Sequence, residues 1–288
     1  MEVTVTTAKS ILTPQARGLL ASPPYPFTHS LSPYTGCAFG STTCGLYCYA
    51  QFLPNWTHAS EGAAWGSVVR VKENAPALLD AALGALGPTR RRRLRIFMAS
   101  TTDPYQPLEA RYGVTRGCLE VFARYDDLDL LVVQTRGPLA ERDFDLLERI
   151  PYAWLSVTVE TDDEGLLRRL RGGPPTGKRL ALVEAAGRRG IKTQVAVSPC
   201  LAHTPDFARR LLASGARRFV VDTLVEGDGG RGARTARSPF AAVYPEWRDR
   251  AAARALYERL RAAGVETGWS AAGFCGILPR SFQLPLIG

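Results

Sequence analysis

Short apolar runs alternate with amphipathic stretches from about residue 68 onward, and this rhythm predicts strands that alternate with helices. The runs are rich in β-branched residues and too short for buried helices, so we interpret them as buried strands. They lie at residues 95–100, 128–134, 154–159, 193–197 and 218–222. Between them, apolar residues recur at spacings of three and four, as at Leu79, Leu83 and Leu86, which is typical of one face of a helix.

Units of one strand and one helix, each of roughly 25–35 residues, predict right-handed crossovers and a parallel sheet. The periodicity allows either an open doubly wound sheet or a partial barrel. No G-x-G-x-x-G follows the first strand, which weakens a dinucleotide-binding fold. The glycine-rich stretch at 227–232 lacks the lysine and Ser/Thr of a P-loop, so we predict a flexible loop there.

The composition is that of a chain that can bury a hydrophobic core. Of 288 residues, 45% are hydrophobic, and the 36 basic and 27 acidic residues leave a net charge of +9. No run of 18 apolar residues occurs and the N-terminus lacks a secretion-signal layout, so we expect a cytoplasmic protein without a membrane partner. The charge favours anionic partners as a steering effect, and the run Arg90–Arg93 is a candidate contact with nucleic acid.

Three of the six cysteines, Cys37, Cys44 and Cys48, fall within 12 positions in a glycine-rich segment. A disulfide scaffold would be short, cysteine-dense and secreted. Structural zinc prefers four ligands, and the nearby candidates for a fourth, His29 and His58, have no knuckle spacing. Three thiolates instead suit a [4Fe–4S] cluster that keeps one iron open.

Several fragments, in order along the chain, carry one further pattern. They are S-P-Y-T-G-C at 32–37, Y-C-Y-A-Q at 47–51, W-G at 65–66, V-R-V-K-E-N at 69–74, S-T-T-D-P-Y-Q-P-L-E at 100–109, Q-T-R-G-P-L at 134–139 and W-L-S-V-T at 154–158. Together they resemble the radical SAM superfamily, and within it the spore photoproduct lyase-like branch. The resemblance covers residues 32 to about 225. The family spacing is C-x3-C-x2-C, whereas this chain has C-x6-C-x3-C, an insertion that a loop tolerates.

The resemblance implies an α/β fold, a partial (β/α)6-type TIM barrel with parallel strands. We therefore predict an irregular N-terminal extension over 1–31 and the barrel core over 32–226. A flexible loop, a C-terminal helix and a closing segment would occupy 227–288. In such a barrel the functional residues gather at the carboxyl ends of the strands.

The resemblance also implies two cofactors. Cys37, Cys44 and Cys48 would hold a [4Fe–4S] cluster, and S-adenosylmethionine would bind its open iron. An external electron donor, such as a flavodoxin or ferredoxin, would drive reductive cleavage of S-adenosylmethionine to a 5′-deoxyadenosyl radical. The radical would act on an unknown substrate, for which nucleic acid is a candidate.

Residues that match the family motifs receive individual roles. Tyr47 would contact the adenine, Ser100 and Thr102 would face the methionine amino group, and Ser156 would bind the ribose or the carboxylate. Arg136 would pair with the methionine carboxylate, because a guanidinium fork suits that anion.

The lyase uses a cysteine as hydrogen-atom donor, and the corresponding position here is Ala99. Cys200 and Cys275 are candidates to replace that thiol, although a structural thiol is the alternative for both. Asp103 and His203 could assist proton transfer. A different class of function also stays open: a non-catalytic, basic, zinc-binding protein that contacts nucleic acid.

Overall fold

The strands form one large, mostly parallel sheet and one small sheet. The structure is a computed structural model that describes residues 1–283. The strands in this part of the chain are β1 (Glu2–Thr6), β2 (Leu12–Pro14), β3 (His29–Leu31), β4 (Tyr34–Thr35), β5 (Val68–Lys72), β6 (Arg95–Met98), β7 (Leu130–Thr135), β8 (Ala153–Thr158), β9 (Lys192–Val197), β10 (Arg218–Val221) and β11 (Glu266–Trp269).

Helices follow the strands of the large sheet, as the periodicity predicts. Within residues 1–283 they are α1 (Thr43–Tyr47), α2 (Pro54–Thr57), α3 (Ala75–Gly84), α4 (Pro88–Arg91), α5 (Glu109–Tyr112), α6 (Val114–Phe122), α7 (Phe144–Leu147), α8 (Glu164–Arg169), α9 (Thr176–Arg188), α10 (Phe207–Ala213), α11 (Leu224–Gly227), α12 (Ala233–Ala236), α13 (Phe240–Val243), α14 (Ala251–Ala262) and α15 (Ser270–Phe274). Single turns of 3₁₀-helix lie at Leu19–Ala21, Ala38–Ser41, Tyr49–Phe52, Pro138–Asp143, Pro245–Arg248 and Arg280–Phe282.

The large sheet has the order β11-β10-β9-β8-β7-β6-β3-β2 over the described residues. The β2–β3 pair is antiparallel, and each other neighbouring pair is parallel. Strands that follow one another along the chain therefore lie side by side, as in a singly wound barrel. In the part of the chain described, β2 and β11 do not pair with each other. This confirms the predicted partial barrel.

The central strands are apolar on both faces because each face meets a different part of the core. In β7, Leu131 and Val133 pack with the helices of the main core cluster. Leu130 and Val132 point to the other face and pack with Phe97 inside the barrel. Burial on both faces explains why β7 is a continuous apolar run and not an alternating one.

The N-terminal segment 1–31 contains three short strands that the hydrophobic pattern did not predict. Among them β3 pairs with β6 and so belongs to the barrel, and β1 pairs with β5 in the small sheet. Strands of three to five residues are too short to show a period. The sheet also continues past the predicted core boundary at residue 226, because β11 pairs with β10.

Residues 228–232, within the stretch predicted as a flexible loop, form a turn between α11 and α12. The Asp228 carboxylate organises it by accepting backbone N–H bonds from Gly230 (2.6 Å), Gly232 (3.0 Å), Arg234 (2.9 Å) and Thr235 (3.0 Å). The last part of the predicted closing segment, 284–288, lies outside the described residues. Over 1–283, none of the helices combines the length and the apolar character that crossing a membrane requires.

The arginine run at 90–93 divides into two kinds of residue. Arg91 donates to the Asp127 carboxylate at 2.8 Å and to the Leu83 carbonyl at 3.3 Å, at the end of α3. Arg90, Arg92 and Arg93 are exposed. All four precede β6 and therefore lie at the opposite end of that strand from the rim where functional residues gather.

We predict that Asp228→Ala lowers the free energy of unfolding by about 2–4 kcal/mol, because several buried N–H groups lose a charged acceptor together. Urea denaturation followed by circular dichroism measures this loss. Asp126→Ala, at an exposed aspartate, is the matched control and should change stability by less than about 0.5 kcal/mol. Equal stability of both variants would contradict the role given to Asp228.

Candidate functional site

A cavity opens at the carboxyl ends of the barrel strands. One wall carries Cys37, Cys44 and Cys48. The opposite side is formed by the residues that end successive strands and point into the barrel: Ala99, Gln134, Thr158, Ser198 and Asp222. The parallel sheet thus brings five strand ends to one rim, facing the three cysteines.

Close backbone contacts fix the path of the cysteine loop. A Cβ atom on Gly45 would lie 1.7 Å from the Gly40 carbonyl oxygen, and one on Gly40 would lie 2.5 Å from the Gly66 Cα. Gly66 also has a φ of +89°, which favours glycine. The inserted residues between Cys37 and Cys44 therefore form a packed 3₁₀ turn seated on Gly66 instead of a loose bulge.

Side chains after β6 tie the loop to the barrel. The Thr102 hydroxyl donates to the Gly36 carbonyl at 2.6 Å, and the Gln106 side-chain carbonyl accepts the Ala38 N–H at 2.7 Å. Gln106 also donates to the Thr102 hydroxyl at 3.2 Å. These bonds flank Cys37 on both sides and hold its backbone against the strand ends. The structure thus gives Thr102 a positioning contact, and its predicted role toward S-adenosylmethionine stays a prediction.

Asp103 lines the cavity and joins two strand ends. Its carboxylate accepts from the Thr135 hydroxyl at 2.6 Å, the Arg136 N–H at 2.8 Å and the Tyr105 N–H at 2.9 Å. Burial raises the pKa of Asp103, although these hydrogen bonds oppose the rise. Each bond serves the backbone or a neighbouring strand, so the structure gives Asp103 a structural contact, and its part in proton transfer stays a prediction.

The three thiols have unequal acidity. A hydrogen bond from Cys48 lowers the pKa of Cys44, with help from the nearby Arg136 charge and against the effect of burial. The same hydrogen bond and burial raise the pKa of Cys48. Burial raises the pKa of Cys37. All three are free thiols, so they are available to bind soft metal ions as thiolates.

The histidines named for the zinc alternative do not join the cysteines at the cavity. Across residues 1–283, no three His, Cys, Asp or Glu side chains, the three cysteines included, converge as ligands of one single metal ion. Neither His29 nor His58 lines the cavity. His29 instead contacts the Thr28 hydroxyl at 3.0 Å.

A buried ion network lies behind the cysteines. Glu160, fully buried, forms salt bridges with Arg136 and Arg179. The Tyr47 hydroxyl donates to the same carboxylate at 2.8 Å. Burial alone would raise the pKa of Glu160, but the two guanidinium charges outweigh burial and hold it well below its usual value. Tyr47 and Arg136 both line the cavity, and Glu160 is the residue that orients them.

Ser100 lines the cavity, and its backbone carbonyl accepts a hydrogen bond from the Tyr49 hydroxyl. Ser156 does not. It is fully buried, and its hydroxyl accepts from Gln194 at 2.7 Å, so its contact with S-adenosylmethionine stays a prediction. Thr158, two residues further along β8, faces the cavity in its place.

Neither candidate hydrogen-atom donor reaches the cavity. Cys275 is 1% exposed and packs inside the barrel with Phe27 and Phe97. Cys200 faces a separate cavity, lies 3.8 Å from His203 Nδ1, and has a pKa that burial raises to about 12. Neither thiol lines the cavity that holds the three cysteines, and the role of either as hydrogen-atom donor stays a prediction.

Sequence reasoning missed several residues of the site, namely Gln134, Thr158, Ser198 and Asp222. Each is a polar residue near the end of an apolar strand, at a position whose parity points into the barrel. Gln134 donates to Thr158 at 2.5 Å, while its side-chain carbonyl is buried without a partner among the described residues. Asp222 accepts from Ser198 at 3.2 Å, and burial raises its pKa to about 6.

Comparison with curated proteins gives relatives whose own activities are undescribed. The chain is 27% identical over 172 residues to an uncharacterised protein of Methanocaldococcus jannaschii, a match that covers 59% of this chain and 60% of the relative. It is 30% identical over 191 residues to uncharacterised proteins of Mycobacterium bovis and Mycobacterium tuberculosis, covering 65% of this chain and 53% of each. The matches thus span little more than half of each relative. The chain matches no family model.

Comparison with solved structures is more informative. A spore photoproduct lyase variant superposes with a TM-score of 0.60 at 13% identity, covering 92% of this chain and 81% of the lyase. The lyase complexed with dinucleoside spore photoproduct gives 0.57 at 15% identity, covering 85% and 66%. The chain has the fold of spore photoproduct lyase. The resemblance predicted from the sequence motifs is therefore confirmed at the level of the fold.

The raised pKa of Asp222 predicts a specific pH dependence of stability. Between pH 3.8, its ordinary pKa, and about 6, its pKa in the folded protein, Asp222 keeps a proton in the folded state that it releases in the unfolded state. The folded state therefore becomes less stable as the pH rises through that window. Asp222→Asn removes the loss. We expect the stability of the variant relative to wild type to rise by about 2.5 kcal/mol from pH 4 to pH 7.

Urea denaturation of both proteins at several pH values measures this difference. Any fixed cost of the amide, such as a weaker bond to Ser198, is the same at every pH and cancels. A pH-independent difference between variant and wild type would show that Asp222 titrates normally.

Proposed function

We propose that this chain is a radical SAM enzyme in which Cys37, Cys44 and Cys48 hold a [4Fe–4S] cluster. The observation that carries the proposal is the placement of the three free cysteines on one wall of the cavity. The cavity belongs to a fold shared with spore photoproduct lyase, of which one solved form carries AdoMet. Three thiolates fit such a cluster, because they leave one iron for a second ligand.

S-adenosylmethionine would bind between the cysteine wall and the strand ends. With both cofactors bound, the chemistry supplied is reductive cleavage of the sulfonium C–S bond to a 5′-deoxyadenosyl radical. Arg136 offers a guanidinium to the methionine carboxylate, and Tyr47 offers a ring to the adenine. Glu160 holds both side chains in place. Ser100 and Thr102 stay candidates for the methionine amino group.

The strand ends opposite the cysteines would contact the substrate. Gln134 has one end of its amide unpaired among the described residues, and Asp222 is a buried carboxyl that lines the cavity. Both groups recognise hydrogen-bond donors, whereas a buried carboxylate repels phosphate. A nucleoside base is the candidate substrate group, by analogy with the dinucleoside bound to the lyase. Any phosphate would then stay outside this part of the cavity.

We predict that alanine at Cys37, Cys44 or Cys48 abolishes the cluster, because each thiolate binds a different iron. The test is anaerobic reconstitution, with iron content and the brown thiolate-to-iron absorbance as measurements. Alanine at the buried Cys118 is the matched control and should leave four irons bound. Retention of the full cluster in Cys44→Ala would refute the ligand assignment. A colourless wild-type protein with one zinc would refute the proposed function.

We predict that Arg136→Ala keeps the cluster but weakens S-adenosylmethionine binding by about 1.5–3 kcal/mol, the range for a hydrogen bond to a charged group. Equilibrium binding to the reconstituted protein measures the change. Arg136→Lys should recover part of the affinity, because it restores the charge without the fork. An unchanged affinity in Arg136→Ala would remove this residue from the cofactor site.

The proposed activity itself is tested by 5′-deoxyadenosine formation from S-adenosylmethionine in the reduced, reconstituted protein. Candidate nucleosides and oligonucleotides are then compared for their ability to stimulate it. Absence of 5′-deoxyadenosine from a protein with four irons would contradict the proposal.

A further inference from the structure

An exposed arginine surface adjoins the cysteine loop on the outside of the molecule. It consists of Arg168 and Arg169, in the last turn of α8, and Arg171 just after it. The loop touches this segment directly: the Thr43 N–H donates to the Gly172 carbonyl at 2.9 Å. The Thr43 hydroxyl donates to the Leu167 carbonyl at 3.2 Å. Thr43 is the residue immediately before Cys44.

The charges of the arginine surface are not neutralised locally. Over residues 1–283, none of its three arginines forms a salt bridge, whereas Arg179 and Arg188 further along the chain do. The nearest acids in sequence have other partners. Asp163 accepts the Leu166 N–H at 2.8 Å, and Glu164 accepts the Thr176 N–H at 2.6 Å. Three positive charges therefore face solvent beside the segment that leads into Cys44.

The arginine surface lies outside the substrate cavity. In the described chain, none of its three residues lines the cavity that holds the cysteines, although Arg169 lines the separate cavity that Cys200 faces, together with Asp163, Glu246 and Asp249. Thr43 connects the arginine surface to a candidate cluster ligand through one backbone bond. A substrate in the cavity would not touch them. A partner that delivers electrons needs a surface close to the cluster. Thr43, which binds the segment that carries the arginine surface, directly precedes Cys44, and consecutive Cα atoms are only about 3.8 Å apart.

We infer that Arg168, Arg169 and Arg171 form the docking surface for a small acidic electron-transfer protein that reduces the cluster. The inference rests on the proposed function and adds the location and charge of the donor's site. In the step, one electron leaves the reduced carrier and enters the cluster, which passes from its 2+ to its 1+ state, and no bond forms or breaks. Complementary charge accelerates such encounters and makes their rate fall as salt rises.

The test compares two triple variants of the full-length, reconstituted protein. The first replaces Arg168, Arg169 and Arg171 by glutamine. The matched control replaces the equally exposed Arg90, Arg92 and Arg93, which removes the same charge at the far end of the barrel. Stopped-flow bleaching of the cluster by flavodoxin hydroquinone gives the second-order rate constant, and dithionite serves as a reductant that needs no docking surface.

We expect the first variant to react about tenfold more slowly with flavodoxin at low salt, with an unchanged dithionite rate. The control variant should react like wild type, and the difference should vanish in about 0.5 M salt, where charges are screened. Lysine at the same three positions should restore the rate because it restores the charge.

Three outcomes would overturn the inference. Equal slowing in both variants would mean that net charge alone steers the carrier. An unchanged rate in the first variant would mean that the carrier docks elsewhere. If the first variant binds duplex DNA more weakly than wild type but reacts with flavodoxin at the wild-type rate, the arginine surface would be assigned to nucleic acid. Failure of dithionite to reduce the wild-type cluster would instead count against the proposed function. Failure of the docking inference and failure of the proposed function are therefore distinguishable.

Discussion

The candidate site depends on the hydrogen bonds that fasten the cysteine loop to the segment after β6. Thr102 and Gln106 bind the backbone on either side of Cys37, and the glycines at 40, 45 and 66 let the remaining loop pack without space for side chains. A loop with six residues between its first two cysteines would otherwise have many conformations. These contacts reduce them to one, in which three thiols face the ends of the barrel strands.

A buried carboxylate pairs with the arginine that faces the cavity. Glu160 forms salt bridges with Arg136 and Arg179. Breaking either salt bridge would leave a buried charge without a partner, which is costly. Arg136, which faces the cavity, therefore stays oriented before any ligand binds. On the far side, Asp222 is buried without a salt bridge in the described chain. The cavity therefore presents one cation, Arg136, near the cysteines together with the buried acids Asp103 and Asp222 in its lining.

The basic residues of this chain have different environments. The basic residues that give the chain its net charge of +9 are not interchangeable. Arg91 donates to a carbonyl at the end of α3 and pairs with Asp127. Arg136 and Arg179 are internal, and the arginine surface beside Thr43 forms no salt bridge within residues 1–283. A count of basic residues cannot separate these roles, because each depends on which acids and carbonyl groups the fold places nearby.

The sequence by itself determined the central strands β6 to β10 with the helices between them, the parallel barrel, and the candidate ligands Cys37, Cys44 and Cys48. Periodicity and motif spacing are local properties, so they are readable along the chain. Tertiary structure decided which side chains meet. Ser156 and Thr158 differ only by two positions on β8, yet the first is fully buried and the second lines the cavity. Cys200 and Cys275 lie next to cavity residues in sequence, but neither thiol lines the cavity, because a strand end or a helix turn fixes direction as well as place.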